Sequence, residues 1–116
     1  ARQMLARWFP PGMPASACAG QDAVLERLLA TDPGAYADAA QALQGYDLTP
    51  ALPALQARTL LVHGELDEDV PAHFTALGRR HPGLRVLGLP AIGHFPNLQA
   101  TGPFNAAVAD FLGSLA

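Results

Sequence analysis

Two apolar runs of strand length, each leading into a glycine turn, constrain this chain more than any other feature. The first, Thr59-Leu-Leu-Val-His63, leads into Gly64-Glu-Leu-Asp67-Glu-Asp-Val-Pro71. The second, Leu84-Arg-Val-Leu-Gly-Leu89, leads into Pro90-Ala-Ile-Gly93-His94-Phe-Pro-Asn97. Runs this apolar are expected for strands covered on both faces. Two such strands ending side by side would bring a carboxylate and an imidazole to one edge of a sheet. That carboxyl edge is where open α/β sheets build their sites. An aspartate that orients a histidine is two-thirds of a nucleophilic triad.

Around these runs the apolar spacing predicts helices. Met4, Leu5, Trp8 and Phe9 share one face of an opening helix, stopped by Pro10-Pro11-Gly12, and a loop follows to Gly20. Val24, Leu25, Leu28 and Leu29 mark a short helix over 22–30. Thr31-Asp32-Pro33 starts the next, with Asp32 as cap and Pro33 in the first turn. That helix carries Tyr36, Ala40 and Leu43 on one side, an alanine face suited to close packing on another, and ends at Gly45. Thr49-Pro50 opens a brief helical piece with Leu52 and Leu55 inward. Phe74 and Leu77 indicate a helix broken near Gly78, with Arg79, Arg80 and His81 at the negative end of its dipole. The last helix, over about 103–115, has Phe104, Val108, Phe111, Leu112 and Leu115 on one stripe and is expected to pack on the sheet. Two strands cannot complete a sheet alone, because each would lack neighbours.

With 116 residues, half of them hydrophobic and 15% charged, the chain is globular and at most one domain. A net charge of −3 and seven basic residues that form no stripe argue against a nucleic-acid surface. No apolar run approaches the length of about 18 residues that a membrane helix needs. The single cysteine, Cys18, fits a reducing compartment, and no secretory pattern opens the chain; a cytoplasmic protein is expected.

His94 is the strongest chemical candidate. A rigid Gly-His turn directly after a buried strand is what a general base needs; the alternative is a histidine in a solvated loop. Asp67 is the acid of choice among Glu65, Asp67, Glu68 and Asp69, with Asp69 the runner-up. Otherwise the acids form a solvated turn. His63, closing the first strand, reads as structural, and His73 and His81 as surface residues. No His-x-x-x-His or Cys/His pairing is present, so no metal and no cofactor is expected.

The Gly64-x-x-Asp67 turn and the Gly93-His94-Phe95 loop resemble the acid turn and histidine loop of α/β-hydrolases, whose triad runs nucleophile, acid, histidine along the chain. Arg7-Trp8-Phe9, with the Leu29–Tyr36 segment and Tyr46-Asp47-Leu48, is similar to the cap-to-core region of 3-oxoadipate enol-lactonases. Arg58 departs from the pattern, standing where a proline usually precedes the strand. The resemblance implies an α/β fold, specifically the C-terminal half of an α/β-hydrolase: the last strands and helices of the core sheet plus part of a helical cap. Residues 1–50 would be cap remnant and connection, and 51–116 the core segment. Trp8 would wall the substrate pocket and Arg7 would pair with a substrate carboxylate. Either could equally be a packed Trp and a solvated Arg.

No Gly-x-Ser-x-Gly occurs, and the only serines are Ser16 and Ser114. The resemblance therefore implies a hydrolase of esters or lactones, such as an enol-lactone, with its nucleophile in an N-terminal half from the same gene or a separate chain. His94 would take the nucleophile's proton and Asp67 would hold His94. Haloperoxidase, dehalogenase or acyltransferase chemistry fits the same two turns. A non-catalytic binding or assembly module is the alternative from a different class.

Overall fold

A computed structural model describes residues 2–115. In chain order it contains helices α1 (Arg2–Trp8), α2 (Gln21–Ala30) and α3 (Pro33–Gln44), strand β1 (Thr59–Gly64), helix α4 (Val70–Arg80), strand β2 (Leu84–Leu89), and helices α5 (Pro96–Gln99) and α6 (Thr101–Gly113). Short stretches of 3₁₀ helix, Ala15–Cys18 and Thr49–Ala54, lie in the connections. β1 and β2 pair in parallel, with Thr59 opposite Leu84 and Gly64 opposite Leu89, and α4 makes the crossover. Both strands thus end at the same level, and the turns that follow start side by side.

The expectation of an α/β-hydrolase half-sheet is not met. The described residues form a helix-rich unit around one βαβ element, and their sheet has only two strands. The physical reason lies in the chain before Thr59, which contributes no strand. Its apolar residues recur at helical spacing, and its Pro and Asp residues start helices: the Asp32 carboxylate accepts the Ala35 N–H at 2.8 Å, with Pro33 in the first turn. A two-stranded ladder cannot form the layer that helices cover on both sides. The strands are accordingly half-buried along most of their length, instead of buried throughout.

The core sits under the C-terminal ends of the strands. Leu5, Phe9, Ala17, Leu89 and Ile92 are buried, with Met13, Val62, Leu87, Ala100 and Phe104 packed against the cluster of Ala17, Leu89 and Ile92. Ala17, in a segment that reads as loop, is among the most deeply buried residues described. Helix α4 runs through Gly78 without a break. A Cβ there would stand 2.8 Å from Val86 Cγ2, so the glycine serves the close approach of α4 to β2. Helix α6 packs on β1 through its half-buried Phe104, Val108 and Phe111, while Leu112 and Leu115 remain exposed. The expected packing of α3 does not occur among the described residues: every position from 33 to 44 is exposed, and Leu55 is not inward either.

Much surface is left uncovered as a result. The accessible area is 7924 Å², against roughly 6,000 Å² for a compact monomer of this mass. The radius of gyration is 15.8 Å, against about 13 Å for a compact chain of this length. No helix described is long and apolar enough to cross a membrane.

Candidate active site

The site forms where the two glycine turns meet. Gly64 is required there because its Cα faces the backbone of the opposite turn; a Cβ would overlap the carbonyl oxygens of Ile92 and Gly93. Leu66 N–H donates to Ile92 O at 2.9 Å and Glu65 N–H to Leu89 O at 3.0 Å, tying the acid turn to the histidine turn. Ala91, at φ 57°, occupies the left-handed region that side chains with a Cβ adopt at a cost. The surrounding hydrogen bonds hold it there, and it reverses the chain out of β2 toward His94.

Asp67 and His94 are brought together. His94 Nδ1–H donates to Asp67 Oδ2, and Oδ1 of the same carboxylate accepts N–H groups of Asp69 at 3.2 Å and Val70 at 3.3 Å. The acid is thus seated on the first turn of α4, where amide donors and the helix dipole favour negative charge. Its side chain is 10% exposed. Asp69, the runner-up from sequence, faces Arg7 instead. Burial pushes the Asp67 carboxyl up, but the hydrogen bonds from His94, Val70 and Asp69 together outweigh it, and the carboxyl titrates below its ordinary value.

That depression has a measurable consequence. A carboxyl held below its unfolded pKa contributes stability that is fully present above the ordinary carboxylate range and is lost as pH falls through the lowered folded value. Thermal unfolding followed from neutral to acid pH should therefore show a falling midpoint below the ordinary aspartate range. In Asp67→Asn the fall should be smaller. An equal acid fall in both proteins would remove Asp67 from the cause.

His94 lies between two rings. Trp8 stacks on it at 5.9 Å between centroids and 16° between planes, and Phe95 stands edge-on at 5.2 Å. Trp8 is also a backbone anchor: its carbonyl accepts the His94 N–H at 3.0 Å and the Gln99 side-chain N–H at 2.9 Å. The Nε2 of His94 has no hydrogen-bond partner among the described residues, and 39% of the side chain is exposed. It borders an open cavity of about 320 Å³ shared with Met4, Arg7, Trp8, Asp67, Glu68, Asp69 and Val70. None of these is a serine, threonine or cysteine. A histidine with Nδ1–H on a carboxylate and a free Nε2 lone pair can accept a proton from a hydroxyl, thiol or water brought to it.

Arg7 and Trp8, the binding residues suggested by sequence, both border this cavity. Trp8 presents a wall. Arg7 is already engaged: Nε donates to Glu68 at 2.9 Å and Nη2 to Asp69 at 3.0 Å, both carboxylates largely exposed. These pairs connect residues 61 and 62 positions apart, so no local pattern announces them. Exposed pairs of this kind add little stability, at most about 1 kcal/mol each. Their effect is on charge: the cavity is lined by one guanidinium and three carboxylates, two of which pair with it.

His63 is 7% exposed, with Nδ1 at 3.1 Å from Gly64 O and its ring edge-on to Phe74, a packed position under the turn. His73 and His81 take no part in the site. Among the described residues, no three His, Cys, Asp or Glu side chains gather as a metal ion would require. Sequence reasoning missed Gln99, which like His63 is a buried polar residue among those described. Its one signal is an amide four residues after Phe95-Pro96, at a position where the helical spacing calls for an apolar residue. No protein-family model matches the chain, and searches of curated proteins and of solved structures likewise found no match.

Proposed function

We propose that this chain contributes the acid–base pair of a hydrolase acting on carboxylic esters or lactones. The observation that carries the reading is the Asp67–His94 hydrogen bond, with the opposite ring nitrogen free at an open cavity. In this reading a nucleophile-bearing segment, from the same gene or a separate chain, docks over the cavity and over the open strand edges. His94 Nε2 takes the nucleophile's proton as the acyl carbon is attacked, then returns it to the leaving alkoxide. It next activates water against the acyl intermediate, and Asp67 stabilises the imidazolium each time. The likeness of the Arg7-Trp8-Phe9, Leu29–Tyr36 and Tyr46-Asp47-Leu48 segments to those of enol-lactonases supports an ester or lactone substrate. The surplus of uncovered apolar surface supports a covering partner.

Trp8 walls the substrate in this scheme. With Glu68 and Asp69 already on its guanidinium, Arg7 is suited to donating a hydrogen bond to a substrate carbonyl, and an anionic substrate would compete with both carboxylates. Uncharged esters are therefore expected to be preferred over anionic ones of equal size. The lone Cys18, a free thiol, is consistent with a cytoplasmic setting.

The cavity has no serine, threonine or cysteine in its lining, which favours a second reading as a binding or assembly module. One experiment separates the two. The chain is expressed alone and together with candidate nucleophile-bearing segments, and hydrolysis of a general acyl ester is measured. Turnover by the assembly only, abolished by His94→Ala, is expected. Full turnover by the isolated monomer would overturn the two-part scheme, and turnover indifferent to His94→Ala would overturn the hydrolase reading.

A further inference from the structure

We infer that Gln99 is the positioning residue of His94. Its side chain is 5% exposed and uses both ends of its amide. Oε1 accepts the Phe95 N–H at 3.0 Å, and Nε2–H donates to Trp8 O at 2.9 Å, across 91 residues of chain. The Gln99 backbone N–H in turn donates to Phe95 O at 2.8 Å, closing a ring between Gln99 and Phe95.

The two amide nitrogens on either side of the His94 Cα are consequently both pinned. The His94 N–H is on Trp8 O, and the Phe95 N–H is on Gln99 Oε1. These bonds fix the two backbone torsions of His94, which in turn aim its Cβ and ring. The turn belongs to no strand and to no helix longer than four residues, so no ladder would hold it otherwise. Without the Gln99 amide, Phe95 N–H would be a part-buried donor with no acceptor, and Trp8 O would lose one of its two donors. Buried polar groups left unpaired are costly, and the loop relieves that cost by moving toward water. Such a movement carries the ring away from Asp67 and from the stacked indole of Trp8. Displacements of about 1 Å at a proton-transfer site cost about 100-fold in rate. The same amide also fastens the end of α1, with Trp8 and Arg7, to the histidine turn. The cavity wall and the base are therefore held by one side chain.

The inference rests on the hydrolase reading only for its catalytic consequence; the geometric claim is tested on the chain itself. The probe is the His94 Nδ1 proton, observed by NMR as the hydrogen-bonded proton shared with Asp67, with Asp67→Asn as the negative control. Gln99→Leu should weaken or abolish that resonance while strand amides and the unfolding transition persist. Asn97→Ala, on the exposed side of the same short helix, should leave it intact. A folded Gln99→Leu protein with an unchanged Nδ1 resonance overturns the inference.

If Gln99→Leu does not fold, Gln99→Glu decides. At a pH where it is ionised, its carboxylate still accepts from Phe95 but cannot donate to Trp8, so an Nδ1 signal as strong as in the native chain would then be fatal. The native protein supplies a check that needs no variant: the His94 and Phe95 amide hydrogens should exchange together and slowly. A Phe95 amide exchanging at the unprotected rate means that the Gln99 bond is not made, and the inference falls. In the active assembly, Gln99→Leu should lower kcat about 100-fold with KM little changed. Loss of the Nδ1 signal in Gln99→Leu, together with hydrolysis indifferent to His94→Ala, would leave the positioning role intact and remove the hydrolase reading.

Discussion

Asp67→Asn should keep the fold and lower ester turnover by the active assembly about 10⁴-fold, the scale seen where a triad acid loses its charge. The expectation follows from how the carboxylate is seated. Oδ1 accepts two backbone N–H groups, from Asp69 and Val70, and these donors remain in the variant. They orient the asparagine with its carbonyl oxygen toward α4 and its NH₂ toward His94. That NH₂ can only donate, so His94 Nδ1 must become an acceptor and the ring proton moves to Nε2. The lone pair that should take the nucleophile's proton is then occupied, and no carboxylate remains to stabilise the imidazolium. Nitrogen NMR of the isolated chain should report Nδ1–H in the native protein and Nε2–H in the variant. A variant with native turnover, or with the native tautomer, would refute the assignment of Asp67.

Gly64→Ala should be the most damaging small substitution in the chain. The added methyl would overlap the carbonyl oxygens of Ile92 and Gly93, which are backbone atoms with no rotamer to yield. Moving that turn means giving up Leu66 N–H to Ile92 O, which ties the two turns together, and His94 N–H to Trp8 O, which ties the histidine turn to α1. Overpacking of this kind costs about 3 kcal/mol or more. For a domain of this size the unfolding midpoint should fall on the order of 10 °C. Gly45→Ala is the matched comparison: nothing lies within 4 Å of a Cβ there, and φ is −96°. It should be neutral or slightly stabilising, because it restricts only the unfolded chain. Equal effects at the two positions in a thermal melt would show that the turns do not approach as described.

The contrast between these glycines shows what sequence alone could say. Both read as punctuation: Gly45 ends a helix and Gly64 follows an apolar run. Only the packed structure separates a glycine with open space around it from one pressed against a neighbouring backbone. The same holds for Gly78, which reads as a helix breaker and proves to be the contact point of α4 with β2. Arg7 is a further case. Its charge is plain in the sequence, but its pairing with Glu68 and Asp69 depends on α1 crossing to the acid turn.

What the amino-acid sequence determined by itself was local. Apolar runs specified β1 and β2, Asp32-Pro33 and the glycine turns set element ends, and the turn positions of Asp67 and His94 marked the candidate acid and base. Each of these depends on neighbours within a few residues, where backbone propensity and hydrophobic period act directly. The tertiary structure decided what depends on distant partners. It chose Asp67 over Asp69 by giving Asp69 to Arg7, and it enlisted the Gln99 amide and the Trp8 carbonyl in the histidine turn. It also limited the sheet to two strands, because apolar residues show that a strand will be covered but not by what. Burial and pairing are properties of groups brought together by the whole fold, and no spacing along one segment contains them.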